Sequence, residues 1–197
     1  MPDDPAPLRV LLIDDGAHRV ALIRDELVRR GHEVVGVVDA ARMIHDSVER
    51  LQPDVVIVDA ESPSRDTLEH LATLSSRHPK PVVVFAEDEA DDPLRQAMAA
   101  GVSAYVVAGL QPERLAAVLR VAIARFEQER ELREQLAQAR QALSQRKLID
   151  RAKRLLMKRH GLDEDEAYAL LRKAAMDKGL KIVDVAQRLL DVADLLG

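Results

Sequence analysis

Apolar positions recur on two different rhythms along this chain, and the rhythm changes near residue 112. From residue 8 to about 110, short apolar runs are separated by amphipathic stretches. Strands are predicted at 8–13, 33–38, 54–58, 81–85 and 104–107. These runs are short and rich in β-branched residues. Most lack in/out alternation, which suits strands covered on both faces of a parallel sheet. Helical periodicity fills the gaps, with starts near Ala17, Ala40, Ser64, Asp92 and Pro112. Five strand–helix units predict an α/β domain, a doubly wound five-stranded parallel sheet.

Beyond Pro112 the helical pattern runs on, because neither Gly nor Pro occurs before Gly161. Residues 120–147 are rich in Arg, Glu, Gln, Ala and Leu. Leu119 and Phe126, Leu132 and Ala139, and Leu136 and Leu143 are each seven apart, with a break of phase between Phe126 and Leu132. This predicts a long helix with a short coiled-coil seam. A solvated linker helix is the alternative. Three more helices follow. One near 146–159 places Leu148, Ala152, Leu155 and Leu156 on one face and stops at Gly161. The second starts at a capping box formed by Asp163 and Glu166, carries Ala167, Leu170, Leu171 and Ala174, and ends at Gly179. The third carries Ile182, Val185, Ala186, Leu189 and Ala193. The expected organisation is a sheet domain over 1–118, a coiled-coil dimerisation helix over 119–145 and an all-α three-helix bundle over 146–197.

Composition narrows the chemistry. Hydrophobic residues make up 47% of the chain but aromatics only 2%, so the core must be aliphatic. Without cysteine, disulfides and thiolate metal sites are excluded. No apolar run approaches the roughly 20 residues that span a bilayer. The acidic, proline-rich start MPDDPAPLR does not read as a signal peptide, so a cytoplasmic protein is expected. The net charge of -5 hides a split. Residues 144–197 hold 12 Lys and Arg against 9 Asp and Glu, leaving 17 against 25 in the rest. Within 146–159 there are seven bases and one acid. Such a stretch is either a surface for a polyanion or a solvated helix face.

Doubly wound sheets carry function at the carboxyl ends of their strands. The acidic pair Asp14 and Asp15 follows the first strand, and Asp59 follows the third. Three carboxylates on one sheet edge repel one another unless a hard cation such as Mg²⁺ neutralises them, and Asp59 could then accept a phosphoryl group. The alternative is that some of them cap loops. With VLLIDD and VVIVDAESP in these places, residues 8–125 resemble the receiver domains of response regulators in two-component signalling. The resemblance implies Asp59 as phosphoacceptor and Asp14, Asp15 and Asp59 around a metal. It fails at two positions. Ala86 stands where receivers carry Ser or Thr, and Ala108 where they carry Lys. Without the hydroxyl and the ammonium, a phosphoryl group has little to hold it or relay its presence. The domain is therefore read as a degenerate receiver that serves as a protein-binding platform.

Residues 146–197, through RKLIDRAKRLLM, EAYALLRKAA and DVAQRLLDVADLL, resemble the ANTAR domain of transcription antitermination regulators. The order of receiver, coiled helix and ANTAR domain resembles the amidase and nitrate-assimilation regulators, and the stretch ESPSRDTLEHL after Asp59 looks most like the NasT group of the latter. That resemblance implies a homodimer acting on hairpin loops in leader transcripts, held in check by a nitrate- or nitrite-responsive sensor protein. The residues can be read for that task. Tyr168, Arg172 and Ala175 form a second stripe beside the apolar one, in which an aromatic face and a guanidinium fork suit unpaired bases and Ala175 admits a base closely. Lys153, Lys158 and Arg159 suit phosphates. The alternative for Tyr168 is packing between helices.

Three other functions compete. A phosphorylation-controlled DNA-binding response regulator needs a polar recognition helix. The last helix is mostly apolar or acidic, with Lys181, Gln187 and Arg188 its main polar candidates. A protein-interaction module without nucleic-acid binding would use the bundle only to dimerise. An enzyme fits least. The six histidines are scattered, and the chain has neither a Gly-rich phosphate loop nor a nucleophile beside a base.

Overall fold

The computed structural model describes residues 6–15, 20–38, 43–107 and 112–196. Five strands, β1 (Arg9–Asp15), β2 (Glu33–Val38), β3 (Val55–Ala60), β4 (Val82–Phe85) and β5 (Ala104–Val106), pair in parallel in the order β2-β1-β3-β4-β5. Helices α1 (Val20–Arg29), α2 (Ile44–Leu51), α3 (Arg65–Arg77) and α4 (Asp91–Ala99) connect them. Successive strand residues point to opposite faces, so each strand feeds two separate aliphatic layers. Leu11, Ile13, Val56, Val58, Val82 and Val84 pack with Ile44, Val48, Leu71 and Leu74 of α2 and α3. Val10, Leu12, Val55, Ile57, Val83 and Phe85 pack with Ile23 and Leu27 of α1 and with Leu115, Leu119 and Ala122. Both faces are covered, and that is why these strands read as continuous apolar runs. The doubly wound five-stranded parallel sheet is the observed fold.

Two strands run further than their apolar residues suggest. β1 continues through Asp14 and Asp15, and β3 through Asp59 and Ala60, because the ladder between them persists with Asp14 opposite Asp59 and Asp15 opposite Ala60. The acids thus sit in strand ends, not in the loops that follow. The expected helix starts at Ala17 and Ala40 lie outside the described residues. Near Ser64 the expectation holds in detail, with the Ser64 hydroxyl accepting the Thr67 N–H at 3.1 Å to cap α3.

A 3-10 turn at Pro112–Arg114 leads into α5 (Leu115–His160), 46 residues without a break. The helix expected as a separate element at 146–159 is its final stretch, since nothing in the sequence interrupts the backbone ladder before Gly161. Leu119 lies in the sheet domain's core, which removes it from any coiled-coil seam. Two compact units result, 1–130 and 131–197.

In the second unit the end of α5 joins α6 (Glu164–Lys178) and α7 (Ile182–Leu196). Ala152, Leu156, Ala167, Leu171, Ala186 and Leu190 form its buried core, with one alanine from each helix wholly buried where the helices approach. Both turns that join the helices follow a glycine in the left-handed region, Gly161 at φ 67° and Gly179 at φ 62°. The capping box forms as expected. Asp163 accepts the Glu166 N–H at 2.8 Å, and Glu166 accepts the Asp163 N–H at 3.0 Å. Leu170, expected in the apolar stripe, is exposed instead. Among the described residues, no helix is long and apolar enough to cross a membrane.

Candidate nucleic-acid interface and acidic strand ends

α6 divides its circumference sharply. Residues advance about 100° around an α-helix. Leu171 and Ala175 therefore lie about 60° and 20° to one side of Tyr168, while Arg172 and Met176 lie about 40° and 80° to the other. The first side is spent on packing, with Ala167, Leu171 and Ala175 all buried. The second side faces water, with Tyr168 45% exposed, Arg172 exposed and Met176 72% exposed. Tyr168 is thus not part of the bundle's buried core. Ala175 is a correction. It belongs to the buried side of α6 and cannot admit a base. The sequence spacing of i+7 did place it close to Tyr168 in angle, but on the wrong side.

The basic stretch divides as well. Lys153 Nζ donates to Glu164 Oε1 at 2.7 Å and to Asp150 Oδ1 at 2.9 Å, and its side chain is only 15% exposed. Its hydrogen bonds to Glu164 and then Asp150 hold the ammonium's pKa above the usual lysine value, and the hydrogen bond from Lys153 holds the Asp150 carboxyl below its own. Lys153 therefore ties α5 to α6 and is occupied by two carboxylates. It is not available as the phosphate anchor expected of it. Lys158 and Arg159 remain exposed in the last turn of α5, where cations also complement the negative end of the helix dipole.

At the sheet edge, Asp59 is fully buried on β3 and Asp14 is half-buried directly across on β1. Asp15 ends β1, and its side chain lies outside the described residues. Among the described residues, no three Asp, Glu or His groups converge closely enough to hold a metal ion. Asp14 and Asp59 are the part of the predicted set that the structure brings together. Ala86, next after β4, is wholly buried, and its N–H donates to the Val106 carbonyl at 2.9 Å. A methyl group thus stands where the resemblance to receivers implies a hydroxyl. Ala108 lies outside the described residues. The fold also assembles a pair that the sequence scatters. His45 of α2 and His70 of α3 meet edge to face at 5.9 Å, and burial, then His70, pushes the His45 imidazole below its ordinary pKa.

Residues 10–120 match the response regulator receiver domain, and residues 137–190 match the ANTAR domain. The transcriptional regulatory protein PdtaR of Mycobacterium tuberculosis is 31% identical over 189 residues, spanning 96% of this chain and 92% of its own. The chain belongs to the ANTAR response regulators. Members of this family are known as RNA-binding antitermination regulators, and both matched domains are regulatory. This ANTAR regulator is also 48% identical over 61 residues to the nitrate regulatory protein of Klebsiella oxytoca, which covers 31% of this chain and 15% of that protein. Its sheet domain is similar to the signal receiver domain of a modulated diguanylate cyclase from Desulfovibrio desulfuricans. The TM-score is 0.55 at 22% identity, covering 62% of this chain and 98% of that one. The last likeness shows the fold alone.

Proposed function

We propose that this ANTAR regulator acts in the cytoplasm on hairpin loops of leader transcripts, as a homodimer, without catalysing turnover. The observation that carries this reading is the solvent-facing pair Tyr168 and Arg172, one turn apart on a helix whose other side is spent on the core. An aromatic face and a planar guanidinium stack on unpaired bases and hydrogen-bond their edges, which single-stranded loops expose and duplex RNA does not. Lys158 and Arg159 then serve phosphates, which fix position without reading sequence.

The two kinds of contact separate on mutation of the full chain. With a hairpin selected from genomic transcripts, Arg172→Ala should cost about 1–3 kcal/mol and much less with a scrambled loop. Tyr168→Leu should stay folded yet lose a similar amount by removing the stacking face. Lys158→Ala should weaken all hairpins alike and lower the salt slope by about one contact. Titrations at several salt concentrations read all three. Equal binding of selected and scrambled loops by wild type and Arg172→Ala would refute the assigned face.

The receiver gates the bundle through a bound sensor protein. The similarity to a nitrate regulatory protein suggests nitrate or nitrite as that sensor's signal. Ligand must bind the free and complexed sensor unequally, or it shifts nothing. The hard oxygen donors Asp14, Asp15 and Asp59 fit Mg²⁺, which would neutralise their mutual repulsion. Asp59 remains the phosphoacceptor by position. With methyls at Ala86 and Ala108, treatment with acetyl phosphate and Mg²⁺ should change hairpin affinity by less than about twofold, because a phosphoryl group finds no switch to hold. A large shift that vanishes in Asp59→Asn would overturn this.

A further inference from the structure

Met176 is the most exposed large apolar side chain of α6, and the bundle's core does not use it. It continues the outward line of Tyr168 and Arg172 by one more turn, so the three side chains rise along about 12 Å of helix. We propose that Met176 completes the base-reading face by laying its thioether against an unpaired base of the hairpin loop. This inference rests on the RNA reading above. Methionine suits the task because it is unbranched and polarisable, and sulfur makes favourable contacts with aromatic rings, which nucleobases are.

Charge along α6 favours an RNA strand over an apolar protein partner at this end. The first turn is acidic with Glu164, Asp165 and Glu166, and two of these are engaged by Lys153 and the capping box. The far half carries Arg172, Lys173 and Lys178 around Met176, against Asp177 alone. All four are exposed. Phosphates are therefore drawn to the end of the helix where Met176 stands, and a base of the same strand is brought within reach of its sulfur. Ala175, buried beside it, packs this turn against the bundle and leaves Met176 on the solvent side.

The test uses the full chain and a hairpin pool with a randomised loop, from which wild type selects a binder. Met176→Ala should weaken the selected hairpin about 2- to 12-fold, the range of a sulfur–aromatic contact. Binding to the same stem with a scrambled loop should not change. Neither the salt slope nor the melting temperature should move, and Met176→Leu should recover part of the loss. Wild-type affinity in Met176→Ala, alongside weakened Arg172→Ala, overturns this inference and leaves the RNA reading intact. A lowered melting temperature or altered oligomeric state in Met176→Ala also overturns it, because the residue is then a packing contact. Selection of no hairpin by wild type overturns both readings.

Discussion

Leu136→Glu combined with Leu143→Glu should weaken binding to an RNA with two neighbouring hairpins by about 10²- to 10⁴-fold, and leave single-hairpin binding unchanged. Leu132, Leu136, Ala139 and Leu143 follow steps of four, three and four along α5, the a/d spacing of a coiled coil. The three leucines are each more than half exposed. In the proposed homodimer the same segment of a second copy would cover them, since a heptad seam is self-complementary in register. Such a dimer would tether two bundles, so the second loop would bind at an effective concentration set by the tether instead of by free protein. Glutamate at two core positions of so short a seam places like charges face to face. Sedimentation with one-hairpin and two-hairpin RNAs reads both effects. A monomeric wild type, or a double variant that still dimerises, would end this account.

The architecture was legible because its signals are physical and local. Apolar runs without alternation report strands covered on both faces, and Gly161, Asp163, Glu166 and Gly179 mark helix ends by their backbone preferences. Legibility failed where two faces of one helix had to be told apart. Ala175 and Met176 are neighbours in sequence, and a helical wheel alone does not say which side the bundle uses. Lys153 failed for a related reason. Its partner Glu164 lies eleven residues away across a turn, so its charge looked free until the fold paired it. Leu119 has the right spacing for a seam, yet the sheet claims it, because a heptad match does not say what it packs against. The pairing of His45 with His70 left no trace in spacing, since it spans two helices and a strand.

Leu171→Ala should unfold the small bundle, while Leu170→Ala, its immediate neighbour, should do almost nothing. The two side chains are chemically identical and differ only in the side of α6 they occupy. Leu171 is buried with Leu156 and Leu190 among three buried alanines, so truncation removes one of the three large aliphatic groups at the centre. Buried Leu→Ala costs about 2–5 kcal/mol. A core of this size rarely supplies more than about 3–5 kcal/mol in total, so the substitution takes most of what holds the helices together. Leu170 is 45% exposed, and exposed substitutions usually stay within about 0.5 kcal/mol. Thermal melting of the full chain by circular dichroism should show the bundle's transition lost or lowered in Leu171→Ala and unchanged in Leu170→Ala. The sheet unit has its own two aliphatic layers, and its transition should persist in both variants. Hairpin binding should be lost with Leu171→Ala because α6 no longer presents Tyr168 and Arg172 on one side. Similar melting for the two variants would mean that α6 packs by a different face, and the assignment of Tyr168, Arg172 and Met176 to solvent would fall with it.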